Sequence, residues 1–64
     1  MKTKLIDGVP FILHRTSKKK TTAKYEAEKF RRAGYYVRVL KSSKGYEIWV
    51  SMNPRWFYKL DTII

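Results

Sequence analysis

The chain has 64 residues, with 15 lysines and arginines against five aspartates and glutamates, which gives a formal net charge of +10. The absence of cysteine excludes disulfides and thiolate zinc sites, and a single histidine, His14, excludes a histidine-based metal cluster within one chain. A chain of this length buries only about 60% of the surface that its unfolded form exposes. We therefore predict a single domain over residues 1–64, with no cofactor.

The composition predicts a folded domain with a basic surface, because 44% of the residues are hydrophobic and 16% are aromatic. The positive electrostatic field of such a surface attracts polyanions, of which nucleic acid is the first candidate. The alternative is that the lysines only keep an aromatic-rich surface soluble. Residues 9–13 are too short for a signal-peptide core, and no stretch has the length of a membrane span. We expect a cytoplasmic or nucleoid-associated protein with no membrane partner.

The first element is a β-hairpin. Asp7-Gly8 lies between two apolar runs, and this pair is typical of a type I′ turn, in which both central residues need a positive φ. The strand that follows covers residues 9–15, with Pro10 at its start or at a sheet edge because proline has no N–H to donate. A right-handed β-α-β crossover predicts that this strand lies parallel beside a later one.

A helix is predicted over residues 20–33. Ala23, Ala27 and Phe30 recur at the spacing of one helical face, and Gly34 is well placed for the left-handed residue after a helix. The candidates for its N-cap are hydroxyl residues, namely Thr16, Ser17, Thr21 and Thr22.

Two strands follow, over residues 35–41 and 46–52, joined by a loop at 42–45. Period-two alternation predicts two faces. It leaves two registers open: Arg38 opposite Trp49, or Arg38 opposite Glu47 with Tyr36 opposite Trp49. The predicted inward residues are Tyr35, Val37, Val39, Tyr46, Ile48, Val50 and Met52, and the outward ones are Tyr36, Arg38, Leu40, Glu47, Trp49 and Ser51.

The C-terminal segment has two interpretations. Asn53 as N-cap and Pro54 at the first helical position favour a short helix. Read with period two, the same segment would be a strand. The helix would carry Trp56, Phe57 and Leu60, and the strand would present Trp56, Tyr58 and Leu60.

Together these elements predict a small α+β domain. Its sheet has three to four largely antiparallel strands in the order β-hairpin, helix, β-hairpin, with one helix packed on one face and a short C-terminal turn or helix. Over residues 9–52 the succession of strand, helix, AGYYVRV, hairpin and YEIWV resembles the β-α-β-β arrangement of SPOR-type and ferredoxin-like half domains. The resemblance rests on periodicity and one glycine, so it implies an arrangement of elements and assigns no family, sugar-binding signature or RNP motif.

Catalysis has no recognisable motif in this sequence. The carboxylates show no pairing that indicates acid–base chemistry, and there is no nucleophile elbow, P-loop or glycine-rich cradle. His14 has no evident partner, so we interpret it as a structural or surface histidine. We predict a protein that is not an enzyme, with no small-molecule substrate indicated.

Two features favour nucleic acid instead. The outward sheet face would present aromatic and arginine side chains on which unpaired bases can stack, unless the segment at 56–58 or a second subunit covers it. Three consecutive lysines, at positions 18, 19 and 20, oppose the helix dipole but suit a phosphate, although a solvated loop tip is the alternative. The face would comprise Ile12, His14, Tyr36, Arg38, Leu40 and Trp49.

The leading hypothesis is therefore a non-enzymatic protein that binds DNA or RNA with weak sequence specificity. The alternative is a protein-interaction module or homodimer that uses the aromatic sheet face, with Tyr36, Trp49 and Trp56 as a buried hot spot. The candidate nucleic-acid-binding residues are Arg15, Lys18, Lys19, Lys20, Lys24, Tyr36, Arg38, Lys41, Lys44, Trp49 and Arg55.

Overall fold

The computed structural model describes residues 2–58, which form one four-stranded antiparallel sheet with a long and a short helix. The sheet order is β1-β2-β4-β3. The predicted α+β class and the order hairpin, helix, hairpin are confirmed. In chain order the elements are β1 (Thr3–Ile6), β2 (Val9–Ser17), α1 (Lys20–Arg32), β3 (Tyr35–Ser42), β4 (Gly45–Pro54) and α2 (Arg55–Tyr58).

The strand before the helix has only antiparallel neighbours. β2 pairs with β1 on one side and with β4 on the other, and β4 also pairs antiparallel with β3. β2 and β3 run in the same direction, but β4 folds back between them and bonds to both. The prediction that β2 lies parallel beside a later strand is therefore wrong, and β3 is left as an edge strand of the sheet.

The first hairpin has the predicted turn. Asp7 and Gly8 both have a positive φ, of 53° and 78°. Ile6 pairs with Val9, so only these two residues form the loop. The requirement for positive φ at both positions explains why this pair occurs here.

The core lies between α1 and the β3–β4 half of the sheet. Ala23 and Ala27 of the helix are fully buried, and their small side chains let the helix backbone come close to the sheet. Ile48 is the largest side chain that is completely enclosed. The remaining core residues are Val37 and Val50, with Phe30, Tyr35 and Tyr46 packed around them.

The two ends of α1 are stabilised differently. Lys19 is the N-cap, and none of the predicted hydroxyl residues caps the helix. Instead the Ser17 hydroxyl accepts the Lys19 N–H at 3.2 Å and donates to the Lys19 carbonyl at 3.1 Å, which orders the turn before the helix. At the other end Gly34 has a φ of 96°, as predicted for the left-handed residue after the helix. Its N–H donates to the Arg31 carbonyl at 3.0 Å.

A bulge interrupts β2. The register shifts between Leu13 and Arg15, so His14 is an additional residue in the strand. Ile12 lies opposite Val50 of the core, and His14 contacts α1. The prediction that Ile12 and His14 belong to the outer face is wrong, because alternation does not reveal which face β2 turns to the helix or where its extra residue lies.

A second irregularity lies where β3 begins. Tyr35 pairs with Pro54 and Val37 with Val50, so β4 carries extra residues here. The buried hydroxyl of Ser51 accepts the Tyr36 N–H at 3.1 Å and donates to the Asn53 carbonyl at 2.7 Å. It therefore supplies backbone hydrogen bonds that the irregular ladder would otherwise lack.

This irregularity changes the predictions for the end of β4. Met52 is half exposed rather than inward-facing. Asn53 and Pro54 extend the strand, so they are not the N-cap and first residue of a helix, and α2 begins at Arg55. The predicted short helix exists, and Leu60 lies outside the described residues.

Two glycines allow a matched test of this backbone. A Cβ at Gly34 would meet nothing within 4 Å, whereas one at Gly45, where φ is 134°, would overlap the backbone oxygen of Ser17. We expect Gly34→Ala to lower the free energy of unfolding by about 1 kcal/mol, the usual cost of a left-handed residue. Gly45→Ala should lower it further, because backbone overlap is not relieved by side-chain rotation. Urea unfolding of both variants checks this, and equal losses would contradict it.

Candidate nucleic-acid interface

The centre of the outer sheet face is closed. Trp49 lies opposite Leu13 on β2 and Arg38 on β3, and it is only 4% exposed. The Lys4 ammonium lies 4.8 Å from the centre of its ring, and the indole N–H donates to Glu47 Oε1 at 3.1 Å. The prediction that Trp49 faces solvent is wrong, because side chains of its own sheet cover it, and its ring has no open face for a base.

Around this centre the outer face remains partly accessible. Arg38 Nη2 donates to the Asp7 carboxylate at 2.8 Å, so the cation predicted here is paired with the first hairpin turn. Tyr36 is 36% exposed, and α2 lies against it: the Tyr58 ring centre is 6.0 Å from that of Tyr36, and the Arg55 guanidinium carbon is 5.7 Å from it. The segment at 56–58 thus covers part of this face.

A cavity of about 440 Å³ lies among these residues. We call it the tyrosine–arginine cavity. Its wall is aromatic and cationic, and its apolar floor comes from β1 and β2. The residues that line it are Ile6, Asp7, Val9, Phe11, Arg31, Tyr35, Tyr36, Val37, Arg38, Arg55 and Tyr58.

On the opposite side of the sheet, β2 contacts α1 through a buried carboxylate. Glu26 is 7% exposed and accepts a hydrogen bond from His14 Nε2 at 3.1 Å. Arg15 and Lys29 also lie 3.5 Å from its oxygens. The hydrogen bond from His14 and the charges of Lys29 and Arg15 lower the pKa of Glu26, against the opposing effect of burial. Arg15, a predicted nucleic-acid contact, is thus paired with Glu26, although its side chain remains about half exposed.

A second depression runs between α1 and the edge strand β3. We call it the cationic groove, and its volume is about 300 Å³. The helical residues that line it lie at spacings of four, three and four, which is one stripe along α1. The stripe comprises Lys20, Lys24, Ala27 and Arg31, and β3 and β4 add Val39, Lys41 and Tyr46.

The charges in the cationic groove are of one sign. No aspartate or glutamate is among the residues that line it. Arg31 pairs with Glu28 at 3.6 Å, but none of the ion pairs formed within residues 2–58 includes Lys20, Lys24 or Lys41. The structure therefore brings three predicted binding lysines together with an arginine that the prediction missed. The signal for Arg31 was its place eleven residues after Lys20, on the same helical stripe.

The other predicted lysines lie at one end of the domain. Lys18 and Lys19 are exposed just before α1, and Lys44 is exposed in the loop between β3 and β4. The two loops are close, since a Cβ on Gly45 would lie 3.1 Å from the Cα of Lys18. These lysines extend the positive field beyond the Lys20 end of the cationic groove.

Comparison of the chain with protein-family models, curated proteins and solved structures finds no match. Neither helix of the described region is long and apolar enough to cross a membrane. Within residues 2–58, histidine and carboxylate side chains form no group of three that could hold a metal ion.

The lowered pKa of Glu26 predicts a pH dependence of stability. Because the unfolded carboxyl binds its proton at a higher pH than the folded one, the stabilisation is present above the unfolded pKa of about 4.5 and is lost as the pH falls below it. Glu26→Gln should therefore lose less of its free energy of unfolding between pH 6 and pH 3 than the unaltered protein.

Glu28→Gln is the matched control, since its carboxylate is half exposed and has one arginine partner. Urea unfolding at both pH values makes the comparison. If the two variants change the pH dependence equally, the His14–Glu26 contact contributes nothing particular to it.

Proposed function

We propose that this protein binds nucleic acid, DNA or RNA, through the cationic groove, with weak sequence specificity and without catalysis. The observation that carries the proposal is the convergence of Lys20, Lys24 and Lys41, from two elements, in a groove with no carboxylate in its lining. Phosphate groups are the ligands that such an array attracts most strongly.

The shape of the cationic groove suits a backbone rather than a single ion. Its helical stripe extends from Lys20 to Arg31, and the eleven helical steps between these two residues span about 16 Å. Val39 and Tyr46 also line the groove. Lysine stems can lie along such apolar surface while their ammonium groups stay in water. A row of cations of this length can lie along several successive phosphates of one nucleic-acid strand.

The beginning of α1 supports the same partner. The first turn contains no acidic residue, and the first amides of any helix have no partner within it. Lys18 and Lys19 add charge where these amides point. A negative ligand that enters the cationic groove at Lys20 would meet the positive end of the helix dipole. Contacts to phosphate carry no sequence information, which is why weak specificity is expected.

A second candidate function is contact with protein, including a second copy of the chain. The observation that favours it lies on α2, where Trp56 is 66% exposed and Phe57 is also exposed. Large exposed aromatic side chains are common at the centre of protein interfaces. This candidate no longer includes Trp49, whose ring is buried.

The nucleic-acid proposal predicts a steep salt dependence that resides in the cationic groove. Lys24→Gln/Lys41→Gln should weaken binding of a mixed-sequence oligonucleotide and reduce the slope of log affinity against log salt by about 1.4–1.8, since each lost phosphate contact removes about 0.7–0.9. Fluorescence anisotropy at salt concentrations from about 50 to 200 mM measures the slope.

Lys2→Gln/Arg32→Gln is the charge-matched control. Both residues are exposed, neither lines the cationic groove, and neither belongs to an ion pair formed within residues 2–58. This control variant should weaken oligonucleotide binding less and keep most of the slope of log affinity against log salt. No binding by the unaltered protein at the lowest salt would refute the proposal. If the two double variants weaken binding equally, the cationic groove is not the site of binding.

The protein-contact candidate predicts self-association through α2. Light scattering should show a dimer for the unaltered protein and a monomer for Trp56→Ala. Phe30→Ala, which alters the core instead, would lower stability without the same selective loss of the dimer. A monomer at all concentrations rules out the homodimer.

A further inference from the structure

We infer that the tyrosine–arginine cavity takes an unpaired nucleobase, so that the partner of this protein is single-stranded. The inference rests on the proposed function and adds a second contact to it. The cationic groove and the tyrosine–arginine cavity both border β3, the groove at Val39 and Lys41 and the cavity at residues 35–38.

The walls of the cavity suit a flat ring. Tyr36 keeps part of its surface exposed, and the rings of Tyr36 and Tyr58 are inclined by 43° with their centres 6.0 Å apart. The two rings line one space without filling it, and buried Phe11 lies in its floor. Aromatic rings in this position favour a planar partner that can stack on them.

The charge of the cavity favours a ligand that is also an anion. Three arginines line it against one carboxylate, that of Asp7. Arg38 is paired with Asp7, and Arg31 is paired with Glu28 at 3.6 Å. Arg55 belongs to no ion pair formed within residues 2–58, so its guanidinium group leaves an excess of positive charge in the cavity. An inorganic anion would leave the aromatic wall without a stacking partner, and an apolar ligand would leave Arg55 without an anionic partner. A base attached to its phosphate can stack on the aromatic wall and also supply the anion.

The size and position of the cavity fit this ligand. Its volume of about 440 Å³ is within the usual range of sites for small organic molecules. Arg31 lines both the cavity and the cationic groove. A strand whose phosphates follow the groove therefore reaches the cavity at Arg31, where one base can turn inward. Bases in a duplex are paired and stacked, so they enter only after unpairing.

The test compares three forms of one oligonucleotide on the unaltered protein: a single strand, its duplex, and a strand of equal length with abasic sites throughout. The single strand should bind about 5- to 150-fold more tightly than the abasic strand, which corresponds to about 1–3 kcal/mol for one stacked base. Tyr36→Ala should reduce the affinity for the single strand toward that for the abasic strand, and change the latter little.

Tyr25→Ala is the control, because Tyr25 is 68% exposed on α1 and lines neither the cavity nor the cationic groove. It should preserve the preference for bases. Equal binding of all three forms, or tightest binding of the duplex, overturns this inference and leaves the proposed function intact. If no form binds, the proposed function fails. The comparison on the unaltered protein holds whether or not Tyr36→Ala folds.

Discussion

The close contact between α1 and the β3–β4 half of the sheet determines the rest of this structure. It depends on two alanines, Ala23 and Ala27, because a larger side chain at either position would lift the helix from Ile48. The helix then lies along the edge strand β3. Its stripe of cations is therefore held above an open edge of the sheet, and the cationic groove is a direct result of how the core packs.

A single helix covers only part of a four-stranded sheet, so the remaining surface is closed by other means. On the helix side, the bulge at His14 brings β2 into contact with Glu26, and a hydrogen-bonded ion cluster replaces apolar packing. On the outer side, Trp49 is enclosed by side chains of neighbouring strands. Both solutions suit a small domain in which one long helix is the main cover for the sheet within residues 2–58.

Local signals predicted the elements well, because each depends on neighbouring residues. The Asp7-Gly8 turn, the helix with Ala23 and Ala27, and the glycine after it all have short-range physical causes. The bulge has no such signal, since one extra residue changes the face of a strand without changing its composition. The burial of Trp49 depends on which side chains meet across three strands. Likewise, the lysines of the cationic groove could be singled out from the sequence as candidates, but their convergence depends on β3 being the edge strand.

The burial of Trp49 also changes how a nucleic acid would be held. A stacking platform at the centre of the sheet would lie far from the lysines of α1, and phosphate and base contacts would be separate. With the centre closed, the accessible aromatic surface lies at the margin, beside β3, where Tyr36 and α2 meet. Arg31 then lies between the cationic groove and the tyrosine–arginine cavity, because it lines both. Under the proposed function, a single strand that crosses the edge of β3 would engage both, whereas a rigid duplex would engage only the cationic groove.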